Sequence, residues 1–190
     1  MSLQKQQDFL ARLFTDEGLR QNFLSKPDKI GAENGLSETE TQDLKSVLPE
    51  EIGFFADSLF WKRLREVEKL LPLTKKVLRE DFTKYFREFS PTFNPQTVKK
   101  HFEDALAFSE FLQNQTIEPL WAKDLAKFEF SRLIFNSDTK KFVFTRFNHD
   151  IREIIREVSH RNSESQANFR RKTTFAIWLK IRKKTKHFVW

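Results

Sequence analysis

The hydrophobic period of this chain first changes near residue 137, and that change limits what it can fold into. Before it, apolar residues recur every three or four positions, the spacing of one helix face; after it, one short helical set over Ile151–Val158 aside, they recur every second position, the spacing of one sheet face. Leu3, Phe9, Leu10, Leu13 and Phe14 form a first helical set, and Leu19, Phe23 and Leu24 resume it after a break at "TDEG". Pro27 suits a first helical turn and Gly35 a stop. Ser37 and Glu40 have the spacing of a capping box for a helix through Leu44 and Val47.

The longest helical run starts at Pro49. Ile52, Phe55, Leu59, Leu64, Val67 and Leu71 share one stripe, and Phe54, Phe60 and Trp61 widen it, which predicts a helix central to a bundle. After Pro72, Thr74 is the expected cap of a helix carrying Val77 and Leu78, followed by one with Phe82, Tyr85, Phe86 and Phe89 on one side. Pro95 is expected to reopen a helix with Val98, Phe102, Leu106, Phe108 and Leu112. The segment from Pro119 to Phe135 adds Leu120, Leu125, Phe128, Leu133 and Ile134.

Beyond residue 137, Phe142 and Phe144 alternate with Val143 and Thr145, the mark of a strand. Asp150 and Glu153 form a second capping pair before Ile151, Ile154, Ile155 and Val158. "SHRNSESQANFRRK" reads as an exposed loop. Phe175, Ile177, Leu179 and Ile181 then alternate with Ala176, Trp178, Lys180 and Arg182, and after "RKKTK" Phe188 and Trp190 alternate with His187 and Val189. The fold predicted is mainly α: a multi-helix bundle followed by a small lobe with a three-stranded antiparallel sheet and one short helix. Its expected divisions are a short-helix segment over 1–48 packed on the bundle, a helical domain over 49–136, and an α+β lobe over 137–190 ending in a basic hairpin. Only 38% of residues are apolar, but 22 are Phe, so few residues can close a core because each ring removes a large area from water.

Several function classes are disfavoured. The absence of Cys removes disulfides and thiolate metal sites and suits a reducing compartment. The first residues lack the apolar run of a signal peptide, and no long uncharged apolar stretch occurs, so a cytoplasmic protein without membrane insertion is expected. His101 and Asp104 have i, i+3 helical spacing, but no second pair completes a metal set, and the phosphate-loop, nucleophile-elbow and zinc-protease motifs are missing. Glu66, Glu110, Asp124 and Glu129 read as ion-pairing helix residues. The reading is therefore of a non-enzyme without cofactor or metal.

Charge is concentrated at the carboxyl end. Residues 161–190 carry a balance of +8 against +7 for the chain, so the other 160 residues sum to −1. Arg170, Arg171, Lys172, Lys180, Arg182, Lys183, Lys184 and Lys186 are candidates for a nucleic-acid or other polyanion surface, with Trp178, His187 and Trp190 available for stacking. The competing reading is a solvated turn whose charge protects a sheet edge from pairing.

The pieces "KRLREVEKLLPLTKKVLREDFTKYF", "EDALAFSEFL" and "LWAKDLAKFEFSRL" carry a resemblance. In order and approximate spacing they resemble a bacterial family of helical domains, often labelled DNA-binding, found as partner proteins beside multinuclear non-haem iron oxidases in peptide-modifying gene clusters. The match spans about 75 residues, mostly packing positions. "LARLFTDEGLRQNFLSKP" with "GLSETE" also looks like a small helical module of peptide-leader and dioxygenase-subunit families. The resemblance implies a non-catalytic helper that holds a peptide or protein partner through a groove between lobes or by strand addition to a sheet edge. Trp121, Phe142, Phe144 and Trp178 are the candidate contact residues, with nucleic-acid binding by the basic hairpin as the alternative.

Overall fold

A computed structural model describes residues 3–46, 49–137, 140–160, 169–181 and 184–190. It is mainly helical, with one small antiparallel sheet. The chain forms two compact units, residues 1–63 with 90–94 and residues 64–89 with 95–190. The division falls inside the longest helix, and the sheet shares a unit with the helices that precede it.

In the first unit, α1 (Leu3–Thr15), α2 (Glu17–Ser25), α3 (Pro27–Glu33) and α4 (Glu38–Ser46) surround Phe9, Leu13, Phe23, Leu36 and Leu44. Local chemistry sets the breaks. Asp16 accepts from the Leu19 amide at 2.8 Å, Pro27 occupies the start of α3, and Gly35 has the left-handed φ of +73° that ends it. Glu40 accepts from the Ser37 amide and hydroxyl at 2.8 and 2.9 Å, forming the expected capping box. Gly31 lets α3 and α4 approach closely: a Cβ there would lie 2.4 Å from Thr41 Oγ1. Val47 lies outside the described residues.

The helix α5 (Pro49–Leu70) supplies residues to both units. Ile52, Leu64 and Val67 of the expected stripe are buried, as is Leu71 just beyond, but Phe55 and Leu59 are exposed and Ala56 takes the inward position between Ile52 and Leu64. Phe55 instead joins a surface ring cluster, 5.7 Å from Phe14 and 6.3 Å from Phe54. With Phe54 and Trp61 also exposed, α5 is not enclosed as a central helix would be.

The second unit continues with α6 (Pro72–Leu78), α7 (Glu80–Phe89), α8 (Lys100–Asn114) and α9 (Ala122–Asn136). Phe82, Phe86, Phe89 and Phe108 interlock with ring centroids 5.1–5.7 Å apart. Two expectations fail here. Val98 precedes α8 and is 99% exposed, because the turn after Pro95 delays the helix to Lys100. Thr74 does not cap α6. Leu71 holds the cap position, and the amides of Leu73 and Thr74 and the Thr74 hydroxyl are met by the Glu129 carboxylate of α9, at 3.0, 2.9 and 2.7 Å. A buried side chain from a distant helix thus does what a local hydroxyl was expected to do.

The sheet comprises β1 (Phe142–His149), β2 (Arg171–Ile181) and β3 (Lys184–Val189) in the order β1-β2-β3, all antiparallel. Between β1 and β2, α10 (Ile151–His160) starts on a weak Asp150 cap, with the Glu153 amide 3.4 Å from its carboxylate. One sheet face, with Phe147, Ala176 and Trp178, packs on Leu125, Phe128 and Phe135 of α9 and on Ile151 and Ile154 of α10. The predicted loop over 159–172 falls mostly on residues 161–168, outside the described residues. Its ends belong to α10 and β2.

Glu129 is fully buried, and burial pushes its carboxyl above the usual range despite the opposing hydrogen bonds from Thr74 and Leu73. Ionisation therefore costs more in the folded chain, and the stability Glu129 contributes falls as pH rises between its unfolded and folded values. Glu129→Ala is expected to lower unfolding free energy by about 3 kcal/mol, since it strands buried donors. Denaturant titration across acid to neutral pH should show that gap narrowing as pH rises.

Candidate functional site

Antiparallel pairing alternates, so every second residue of an edge strand turns its amide and carbonyl away from its neighbour. The Lys180 amide donates to the Lys141 carbonyl at 2.9 Å, which puts Val143, Thr145 and Phe147 in the positions bonded to β2. Phe142, Phe144 and Arg146 then turn their backbone groups outward from β1. The Arg146 carbonyl is met by Lys127 Nζ at 2.9 Å, in agreement with this direction. Beside this edge runs a groove of about 400 Å³, lined by β1 residues 142–146 and Lys140 before them, by Ser109, Glu110 and Gln113 of α8 and by Lys127, Phe130, Ser131 and Ile134 of α9. Ser131 also fixes β1 to α9 through its hydroxyl, 2.7 Å from that of Thr145.

The side chains of Phe142 and Phe144 stand on the sheet face opposite the core. Register aligns Phe142 with Leu179 and Lys186, and Phe144 with Ile177 and Phe188. Phe144 stacks on Phe175 at 5.6 Å and 15°, and Phe175 lies 6.1 Å from Trp190. Phe142, Phe144, Phe188 and Trp190 are each about half exposed, between 51 and 53%. An aromatic patch of this kind on one sheet face is the usual mark of a contact surface.

The four contact residues read from sequence therefore separate. Phe142 and Phe144 line the groove and the open face, whereas Trp121 and Trp178 are buried in the core behind the sheet. Trp178 is stacked on His187 at 4.7 Å, and burial lowers the His187 pKa, favouring the neutral ring.

The polyanion candidates also separate. Lys180 donates to the Phe135 carbonyl at 2.8 Å and lies 4.9 Å from its ring, on the core side. Lys172 is held by Asp150 at 2.6 Å. Arg170, Arg171 and Lys172 lie at the α10 end of β2, and Lys184 and Lys186 at the other, about 30 Å away by the rise of a strand. Lys186 is exposed, Arg182 and Lys183 lie outside the described residues, and only the strand position of Lys184 is described. His101 is exposed while Asp104 is buried, so this pair does not face a common point.

A second pairing, absent from the sequence reading, closes the far end of β1. Asp124 Oδ2 accepts from the amides of Asn148 and His149 at 3.0 and 2.9 Å and lies 2.6 Å from His149 Nδ1. Thr174 completes the corner, donating to the His149 carbonyl at 2.8 Å and accepting from the Ile151 amide at 3.3 Å. The sequence signal was faint but present: Asp124 and Glu129 lie on α9 among Ala122, Leu125, Ala126 and Phe128, where a carboxylate must have a buried partner. Among the described residues, no group of His, Asp and Glu is arranged to hold a metal ion, and no helix is long and apolar enough to cross a membrane.

Compared with known proteins, the chain matches no protein-family model and no curated protein sequence.

Asp124→Asn should break the corner without changing its volume. Because an amide substitutes poorly for a carboxylate facing three donors, a loss of about 2 kcal/mol is expected in denaturant unfolding. Nitrogen NMR of the His149 ring should show the Nδ1–H form of the wild-type imidazole giving way to a mixture of tautomers.

Proposed function

We propose that this chain is a non-catalytic binding protein that takes an extended peptide segment of a partner protein onto the outer edge of β1. The observation that carries this reading is the coincidence of outward backbone groups at Phe142 and Phe144, and of the outward Arg146 amide, with a groove along the same residues. A strand laid there gains main-chain hydrogen bonds from β1, while alternate side chains meet Phe130 and Ile134 in the groove or extend the aromatic face. The other sheet edge is less suited, because β3 carries Lys184 and Lys186, and edge lysines discourage pairing.

Charge complementarity favours an acidic segment. The three strands contain Arg146, Arg171, Lys172, Lys180, Lys184 and Lys186 and no Asp or Glu. The same charge supports a nucleic-acid ligand less well, since the cations are spread over opposite ends and both faces of the sheet rather than tracking one backbone. The resemblance to helper proteins of peptide-modifying enzymes agrees with a peptide ligand.

Selection of a random-peptide display library on the full chain tests this. Enriched peptides should alternate apolar residues and carry acidic ones. Phe144→Pro removes an outward amide that β2 does not use, so circular dichroism should stay native while binding of the selected peptides falls at least about tenfold. Lack of enrichment, or equal binding by a folded Phe144→Pro protein, would reject strand addition at β1.

A further inference from the structure

At the His149 end of β1 the structure holds a second cavity, of about 540 Å³, which shares Gln113 and Lys127 with the groove beside β1. Its lining includes Lys123 and Lys127 of α9, Arg171 and Lys172 of β2, and the Asp124–His149 pair. The strands shape it. The pair Phe147–Thr174 is followed by His149–Arg171, so β2 carries one residue more than β1 at this point. That bulge releases Arg171, Lys172 and Thr173 from the inward and outward alternation and leaves all three exposed at the cavity.

His149 is 7% exposed, and its Nδ1 is committed to Asp124. A carboxylate acceptor at 2.6 Å places a proton on Nδ1 and leaves Nε2 as the ring nitrogen not engaged by Asp124. Among the described residues Nε2 has no hydrogen-bond partner, yet no buried side-chain nitrogen or oxygen is left unsatisfied, so Nε2 is open to the cavity that His149 lines. Four cations thus face one carboxylate, Asp124, with Asp150 engaged behind Lys172. Lys123 and Lys127 each spend one donor on a backbone carbonyl, of Gln113 and Arg146, and each ammonium keeps two more.

We infer that this cavity is an oxyanion-binding site that takes a phosphate or carboxylate group of a ligand, held by Arg171, Lys123, Lys127 and Lys172 with His149 in its wall. The inference does not depend on strand addition at β1.

Inorganic sulfate is the suitable probe, because it is a doubly charged tetrahedral oxyanion with no titrating proton near neutral pH. Titration of the full chain at low ionic strength, read on the His149 ring nitrogens by NMR, should give a saturable shift that chloride at matched ionic strength does not. Arg171 is exposed, so Arg171→Ala should leave the fold intact and weaken sulfate binding about tenfold. Acetate in parallel assigns the source: tighter sulfate identifies a phosphate-type ligand, tighter acetate a carboxylate. A shift matched by chloride, absent with both oxyanions, or unchanged in folded Arg171→Ala would overturn the inference.

Discussion

Two carboxylates on one buried helix organise the second unit. Glu129 and Asp124 lie on α9, five residues apart, and between them accept six hydrogen bonds: three from the start of α6, and three from the corner where β1 turns into α10. Burying a carboxylate costs several kcal/mol, and only a full set of donors offsets it, each charge-assisted bond contributing about 1.5–3 kcal/mol. The arrangement is therefore specific in a way that apolar packing is not. If α9 slides or rotates, both sets of donors lose their acceptor.

The same corner defines where the sheet edge is available. Asp124 takes the Asn148 amide and Lys127 takes the Arg146 carbonyl, so α9 occupies the final part of the β1 edge. Nearer the strand's start, α8 and α9 stand back and leave a groove whose wall is the backbone of Phe142 to Arg146. The core face is filled by Phe147, Trp178 and Ala176 against α9 and α10. The rings of Phe142, Phe144, Phe175, Phe188 and Trp190 are therefore left on the other face, where Phe144, Phe175 and Trp190 pack on one another and Phe142 and Phe188 are half exposed. A chain rich in Phe can close its core and still have aromatic surface to spare.

Much of this architecture was legible in the sequence because local rules govern it. The change from helical to alternating period located the strands. Pro27 and Pro49 opened helices as expected, and Ser37 with Glu40 formed its box because both partners lie within one turn. What escaped was non-local. Alternation separates Phe142 and Phe144 from Val143 and Thr145 but does not say which set faces inward. Here the inward set includes Thr145 and His149, polar residues made tolerable by Ser131 and Asp124. The Asp124–His149 partners are 25 residues apart, and Glu129 and Thr74 are 55 apart, beyond any spacing rule. Leu59 and Phe55 fit the stripe of α5 by angle, yet Ala56 holds the inward position, because a stripe read from spacing has no knowledge of what lies opposite.

Native-state amide exchange along β1 tests most directly whether α9 holds this strand as an open edge. Every second amide should be slow, at Val143, Thr145 and Phe147, while those of Phe142 and Phe144 exchange as fast as unprotected surface amides. Protection that is equally strong at Phe144 and Thr145 would mean that the edge is already covered in solution and would contradict the account.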